Sequence, residues 1–407
     1  MLWQPSLPER YTSMSDSALK DAIDDRRARL GEHLVILGHH YQTDRVIRHA
    51  DLTGDSLKLS QLAARVARQR DVRYVVFCGV HFMAETADIL TPESVQVILP
   101  DLSAGCSMAD MANHDQTVHA WDAITASLAR QGWSGTLVPI TYVNSTAAIK
   151  AFVGEHGGSC CTSSNADRVF GWAMSQGDDV KILFLPDQHL GRNTAVRFGL
   201  DARTQTCLYD PKLTQAGEPF GGASEEELLQ SRVILWAGHC SVHKLFRPEH
   251  CAAIHQENAA LPSGAEPTRI LVHPECCKEV VDLADLAGST EFIIDTIRSA
   301  PQGSKWAIGT EHNLVLRIAR EAAGRGVGVR ILSDCQCLCT TMFRIDEPHL
   351  LWVLDGLCGI GTGADHSDGP SIARNVIRVH PHVRSLANIA LERMLSLSGA
   401  SPALHID

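Results

Sequence analysis

Residues 233–240 read Val233-Ile234-Leu235-Trp236-Ala237-Gly238-His239-Cys240, and the reading of the fold starts from them. An apolar run without polar alternation that breaks abruptly into small and polar residues is the pattern of a strand buried on both faces. The break marks the carboxyl end of that strand, where open α/β sheets gather ligands. The pattern recurs twice more with a cysteine a few residues beyond: Val97-Ile98-Leu99 precedes Cys106, and Val329-Arg330-Ile331-Leu332 precedes Cys337. The repetition suggests one site assembled from three strand ends. Three thiolates at one metal centre would leave a coordination position open, which in a metal or iron–sulfur site is the reactive one. Taken singly, each cysteine reads as a buried small hydrophobe, since free cysteine is among the most buried residue types. The chain carries 13 of them, including Cys160-Cys161, Cys276-Cys277 and the group Cys335, Cys337 and Cys339, so some fall near strand ends by chance.

Working outward, similar apolar runs at 33–37, 74–77, 95–99, 137–142, 180–185, 269–272 and 329–332 alternate with helical patterns at 16–29, 57–68, 224–230 and 278–287. Such alternation predicts an α/β fold with mainly parallel sheets. Residues 199–223 are poor in periodic apolar positions and carry Pro211, Pro219 and Gly221-Gly222, which predicts a loop insertion or linker. At 407 residues and 44% hydrophobic, the chain is long enough for two or three domains. A net charge of −11 without a terminal basic run argues against nucleic acid as a partner. No apolar stretch reaches membrane-spanning length and the first residues resemble no leader, so the expectation is a soluble cytoplasmic protein whose thiols serve a metal or redox role.

Polar motifs repeat along with the cysteines. His39-His40-Tyr41 is followed by Gly54-Asp55-Ser56, Tyr142-Val143-Asn144 by Thr162-Ser163-Ser164-Asn165, and His273-Pro274-Glu275 by Gly288-Ser289-Thr290, each ahead of a predicted helix. Hydroxyls at a helix start lie beside unpaired backbone N–H groups and the positive end of the helix dipole, a setting for phosphate or carboxylate. Singly, Ser56, Ser163, Ser289 or Thr290 would more often simply cap a helix. His39, Tyr41, Tyr142, His273 and Glu275 are groups able to move protons. Glu275 is the hardest to treat as structural, because a carboxylate just after Ile270-Leu271-Val272 is costly to bury without a partner. Pro186-Asp187-Gln188-His189-Leu190-Gly191-Arg192 and His81-Phe82-Met83-Ala84-Glu85-Thr86 also follow apolar strands and are candidates to line a site or tie domains together.

From about residue 34 to the C-terminal helix, the chain resembles the quinolinate synthases, the iron–sulfur enzymes of NAD biosynthesis. The resemblance rests on Gly54-Asp55-Ser56-Leu57, Phe77 to Thr86, Pro100-Asp101, Ala104-Gly105-Cys106, Tyr142-Val143-Asn144, Cys161-Thr162-Ser163-Ser164-Asn165-Ala166, Pro186 to Gly191 and His273-Pro274-Glu275-Cys276, in that order. It implies three Rossmann-like αβα domains related by pseudo-threefold symmetry around a central cavity. Their expected extents are 31–100 with 345–407, 101–198, and 224–344, after an N-terminal extension over 1–30. It also implies a [4Fe–4S] cluster held by Cys106, Cys240 and Cys337, the last chosen over Cys335 and Cys339 because it lies five residues before Met342. His39, Tyr41, Ser56, Tyr142, Asn144, Ser163, His243, His273, Glu275, Ser289 and Thr290 would surround the substrates. The implied reaction condenses iminoaspartate with dihydroxyacetone phosphate to quinolinate, with a functional link to an L-aspartate oxidase and a monomer or homodimer as the working form. Glu275, Tyr41 and His39 are the proton-transfer candidates, in that order. His40, His239 and Phe343 depart from the family pattern. A zinc-binding structural protein using His239 or His243 as fourth ligand, an iron–sulfur sensor and an iron–sulfur hydro-lyase remain as other readings of the same residues.

Overall fold

The computed structural model describes residues 3–66, 71–334, 336–363 and 367–398. In chain order its strands are β1 (Leu34–His39), β2 (Leu52–Gly54), β3 (Tyr74–Cys78), β4 (Gln96–Ile98), β5 (Thr136–Tyr142), β6 (Ser159–Cys161), β7 (Val180–Leu185), β8 (Thr206–Tyr209), β9 (Val233–Trp236), β10 (Thr268–Val272), β11 (Leu286–Ala287), β12 (Lys305–Gly309), β13 (Gly328–Ile331) and β14 (Val376–Ile377). Helices connect most of them, so the expected α/β fold with mainly parallel sheets is borne out. The chain forms two compact units. One comprises Met1–Cys106 and Leu338–His380, the other Ser107–Cys337 and Pro381–Asp407.

The first unit holds one sheet in the order β14-β4-β3-β1-β2, parallel except for β14, which runs antiparallel to β4. Its central strands are buried on both faces, Ile36, Leu37, Val75, Val76 and Phe77 being almost fully enclosed, and this is why they read as unbroken apolar runs. The helix Glu347–Leu357 brings a buried carboxylate, Glu347, to a cluster of bases. Arg45 Nε and Arg48 Nε donate to it at 3.0 and 3.1 Å, and His49 Nε2 lies 2.8 Å away.

The second unit holds two wholly parallel sheets, β6-β5-β7-β9-β8 and β11-β10-β12-β13. Its sheets divide the chain differently from the expected domain limits. β9, expected to begin the third domain, pairs with β7 in the sheet of β5 and β6. Residues 199–223, expected as a loop, contain β8 and the short helix Pro211–Gln215. β8 is an edge strand of four residues whose Tyr209 stacks on Trp236 at 5.4 Å, so pairing with β9 defines it where a weak local pattern does not. Residues 101–106 belong to the first unit, and the C-terminal helix Pro381–Leu397, expected in the first domain, belongs to the second. That helix crosses the helix Ala147–Glu155 so closely that a Cβ on Gly154 would lie 2.0 Å from the Leu386 carbonyl oxygen. The helix expected over 278–287 stops at Leu283, and Leu286–Ala287 pairs with β10 instead. No helix among the described residues is long and apolar enough to cross a membrane.

Candidate functional site

Parallel sheets align their carboxyl ends along one edge, so topology alone gathers the polar residues that follow each strand. In the second unit both sheets contribute to one cluster. β5 ends in Tyr142, the chain after β9 carries Cys240 and His243, the chain after β10 carries His273 and Glu275, and Thr310 follows β12. His243 stands at the centre. Its Nδ1 lies 2.7 Å from Glu275 Oε2 and its Nε2 lies 3.1 Å from Thr310 Oγ1. Its ring stacks on that of His273, with centroids 4.4 Å apart. The Glu275 N–H donates to His273 Nδ1 at 3.3 Å, and the Tyr142 side chain hydrogen-bonds the Glu275 carboxylate. Tyr142, His243, His273, Glu275 and Thr310 are all buried, none more than 4% exposed.

Burial so complete penalises charge, and the partners decide which groups keep it. Burial pushes the Glu275 carboxyl up, but the neighbouring His243 and His273 and the hydrogen bonds from His243 and Tyr142 outweigh it and hold the group below the usual carboxylate range. Glu275 is therefore an ionised acceptor. Burial, then the neighbouring His243, push His273 down to about 3 against the pull of Glu275, so its ring is neutral and its Nδ1 accepts the Glu275 N–H. Asp187 is driven the other way. Burial and the charge of Glu275 push its carboxyl well up despite backbone hydrogen bonds from Leu190, His189 and Cys240. A neutral acid thus accompanies an ionised one, the separation that acid–base sites use.

Local sequence explains how Cys240 reaches this cluster. Asp187 and Gly238 form a parallel bridge, and the Gln188 N–H donates to the Gly238 carbonyl at 3.0 Å. A Cβ at Gly238 would lie 2.2 Å from the Pro186 carbonyl oxygen, so the small-residue break after β9 is what lets the chain pass. Cys240, His243 and Glu275 then place three donor atoms within 4.8 Å of one another. His243 also holds contacts on both ring nitrogens, Nδ1 to Glu275 and Nε2 to Thr310.

The remaining expected residues divide by position. Asn144 is half-buried beside Tyr142, and its Oδ1 is buried without a hydrogen-bond partner among the described residues, an atom that calls for a ligand or water. The third hydroxyl-bearing turn caps its helix through serine: Ser289 Oγ accepts from Phe292 N at 3.3 Å, and buried Thr290 opens the helix Thr290–Arg298. In the first two turns the side chains seen to accept backbone N–H groups are those of Asp55 and Asn165. Asp55 Oδ1 takes the Lys58 N–H, and Asn165 Oδ1 takes the Thr162 N–H. In the first unit His39 is buried at the end of β1, accepts the Tyr41 N–H at 3.1 Å and meets the Tyr41 ring edge-on at 4.7 Å. Cys106 is half-buried and ends that unit's first segment. Cys337 is fully buried, with its Sγ 3.1 Å from Ser333 Oγ, while Cys339 is half-buried and lies 3.5 Å from Thr341 Oγ1. Cys335 lies outside the described residues. Burial pushes the thiols of Cys78 and Cys160 up to about 12 and those of Cys161 and Cys276 well up, which fits packing.

A family model described as Quinolinate synthetase A protein matches residues 21–396. The chain belongs to that family. A quinolinate synthase of Nocardioides sp. is 50% identical over 392 residues, covering 95% of this chain and 91% of its own length. Quinolinate synthases of Streptomyces coelicolor and Acidobacterium capsulatum are each 47% identical, covering 96% of this chain and 91% and 96% of their own lengths. Membership in the quinolinate synthetase A family therefore extends across both units. Thr310 was not singled out from the sequence, and Asp187 entered only within a polar stretch expected to line a site or tie domains together. The signal for Thr310 was weak, because β12 offers only Trp306-Ala307-Ile308 between polar or small residues.

Proposed function

We propose that the chain is a quinolinate synthase: it condenses iminoaspartate with dihydroxyacetone phosphate, giving quinolinate, phosphate and two waters. The observation that carries this reading is the buried set Tyr142, His243, His273 and Glu275 beside Cys240, in which an ionised carboxylate is held by two donors while a neighbouring imidazole stays neutral. A condensation with two dehydrations needs proton transfers at fixed positions, and such a set supplies an acceptor and oriented donors. Ser289, Thr290 and the amides that open their helix suit the phosphate or a carboxylate. Tyr142 and Asn144, with Ser163, suit the rest of a polyanionic substrate. His39, Tyr41 and Ser56 are proposed to complete the substrate surroundings, with Tyr41 and His39 as further proton-transfer groups.

A [4Fe–4S] cluster fits the donors present. Thiolates are its usual ligands, and Cys240 stands half-buried among polar site groups, unlike the packed Cys78, Cys160, Cys161 and Cys276. Cys106, Cys240 and Cys337 would hold it. When bound, such a cluster with one iron free of protein ligands supplies Lewis acidity for dehydration. The substrate iminoaspartate would come from an L-aspartate oxidase, in a reducing cytoplasm that keeps the thiols available.

Two measurements test the reading. Anaerobically purified protein is expected to carry about four iron and four sulfide per chain and to form quinolinate from the two substrates; zinc, or a cluster without turnover, would overturn it. Glu275→Gln is expected to lower turnover by ~10²–10⁴-fold with the cluster intact, and near-normal turnover would remove Glu275 from the chemistry.

A further inference from the structure

We propose that Asn193 is a positioning residue for Glu275, clamping the turn that carries it; the inference rests on the reading of Glu275 given above. Asn193 lies on the helix Gln188–Arg197, which packs on the β6-β5-β7-β9-β8 sheet, whereas Glu275 lies in the turn that follows β10 of the other sheet of the same unit. The Asn193 side chain is 4% exposed, and its Nδ2 donates to the carbonyl oxygens of Pro274 and Cys276, both at 2.9 Å. Those two carbonyls flank Glu275 in sequence. Inside the turn the Cys276 N–H donates to the His273 carbonyl at 3.0 Å and the Glu275 N–H donates to His273 Nδ1. The backbone around Glu275 is thus tied from within by His273 and from outside by Asn193.

The clamp is only as firm as the helix that bears it, and that helix is fixed at two points. Asp187 caps it through Oδ1, 2.7 Å from Leu190 N. At Gly191 it approaches the sheet so closely that a Cβ would lie 2.6 Å from both Leu235 Cδ2 and Phe184 Cδ1. The Tyr142 side chain that bonds Glu275 projects from the Asn193 sheet, so the amide sets how far Glu275 stands from a partner it must meet. Serine carries one donor and aspartate none, so only a primary amide offers two N–H bonds from a single atom at this reach.

The test is a double-mutant cycle in the full, cluster-loaded chain. Asn193→Ala is expected to lower kcat by ~10–100-fold with little change in KM, because displacement of a reacting group by about 1 Å costs up to that factor. Asn193→Ser, which keeps one donor, should fall between, with iron and sulfide content unchanged in both. In the Glu275→Gln background Asn193→Ala should add no further loss. Losses that multiply, or an unchanged kcat in Asn193→Ala, would overturn the proposal. Hydrogen exchange gives an arm independent of turnover: the amides of His273, Glu275, Cys276 and Cys277 should exchange faster in Asn193→Ala, or in Asn193→Ser if the alanine variant does not fold, and unchanged protection overturns the clamp. If the unmodified chain makes no quinolinate, the functional reading fails while the exchange arm still decides whether Asn193 holds the turn.

Discussion

At the scale of single residues, the role of Glu275 is set by who donates to it. A buried carboxylate with His243 and Tyr142 as donors stays ionised, and each bond to such a charge is worth about 1.5–3 kcal/mol. Tyr142→Phe removes one donor while keeping the ring. It is expected to reduce kcat/KM by roughly 10- to 150-fold, the kinetic equivalent of that energy, without loss of iron; steady-state rates beside an iron assay check it, and unchanged kcat/KM would confine Tyr142 to packing. Glu275 itself was legible in the sequence, because a carboxylate directly after Ile270-Leu271-Val272 must find a partner or not be buried. Which partners it finds was not. His243 comes from beyond β9 in the other sheet, its second nitrogen meets Thr310, and Asp187 is kept neutral by burial together with the charge of Glu275.

At the scale of elements, the sequence conveys which runs are buried strands better than it conveys how helices approach one another. β5, β7 and β9 read directly as unbroken apolar runs, whereas β8 and β11 are brief edge strands defined by a neighbour. Two helical glycines make the point about helices. Gly154 and Gly171 look alike in sequence, each inside an apolar helical pattern. Gly154 faces the Leu386 backbone at a distance no Cβ can share, while Gly171 has only Phe198 Cε2 at 3.8 Å, ordinary contact. Gly154→Ala must therefore push the C-terminal helix outward, with an expected cost of about 1–3 kcal/mol. Gly171→Ala should stabilise by roughly 0.5–1 kcal/mol through helix propensity alone. Chemical denaturation of the two variants reads both signs, and equal effects would mean that the crossing at Gly154 does not set its identity.

At the scale of the whole molecule, chain order and spatial order part company. The segment Leu338–His380 returns to the first unit after more than two hundred residues spent in the second. No local pattern announces such a return, which for residues from 345 on was expected only through the family resemblance; a long-range charge cluster accompanies it, Glu347 from the returning helix met by Arg45, Arg48 and His49 from near the start of the chain. That cluster makes the first unit sensitive to acid in two windows. Burial pushes His49 below its ordinary value of 6.5 and outweighs the pull of Glu347, so the folded ring stays neutral while the unfolded ring takes up a proton. A group lowered on folding contributes stability above its unfolded value and loses it as pH falls, so this contribution declines from about pH 6.5 downward. Burial would push Glu347 up, but hydrogen bonds from His49, Arg48 and Arg45 hold it below its ordinary 4.5, so its contribution is lost in turn as pH falls below that value. Both terms have the same sign. Thermal unfolding followed from pH 7.5 to pH 4 should therefore show stability falling from about pH 6.5, with hydrogen-exchange protection in the helix Glu347–Leu357, relative to the intrinsic rate at each pH, falling over the same range. Glu347→Gln, which cannot be held ionised, should start from a lower stability and lose the part of the acid dependence below pH 4.5. A variant as stable as the natural chain at pH 7, or an acid profile identical to it, would show that the returning segment is held by its apolar face alone.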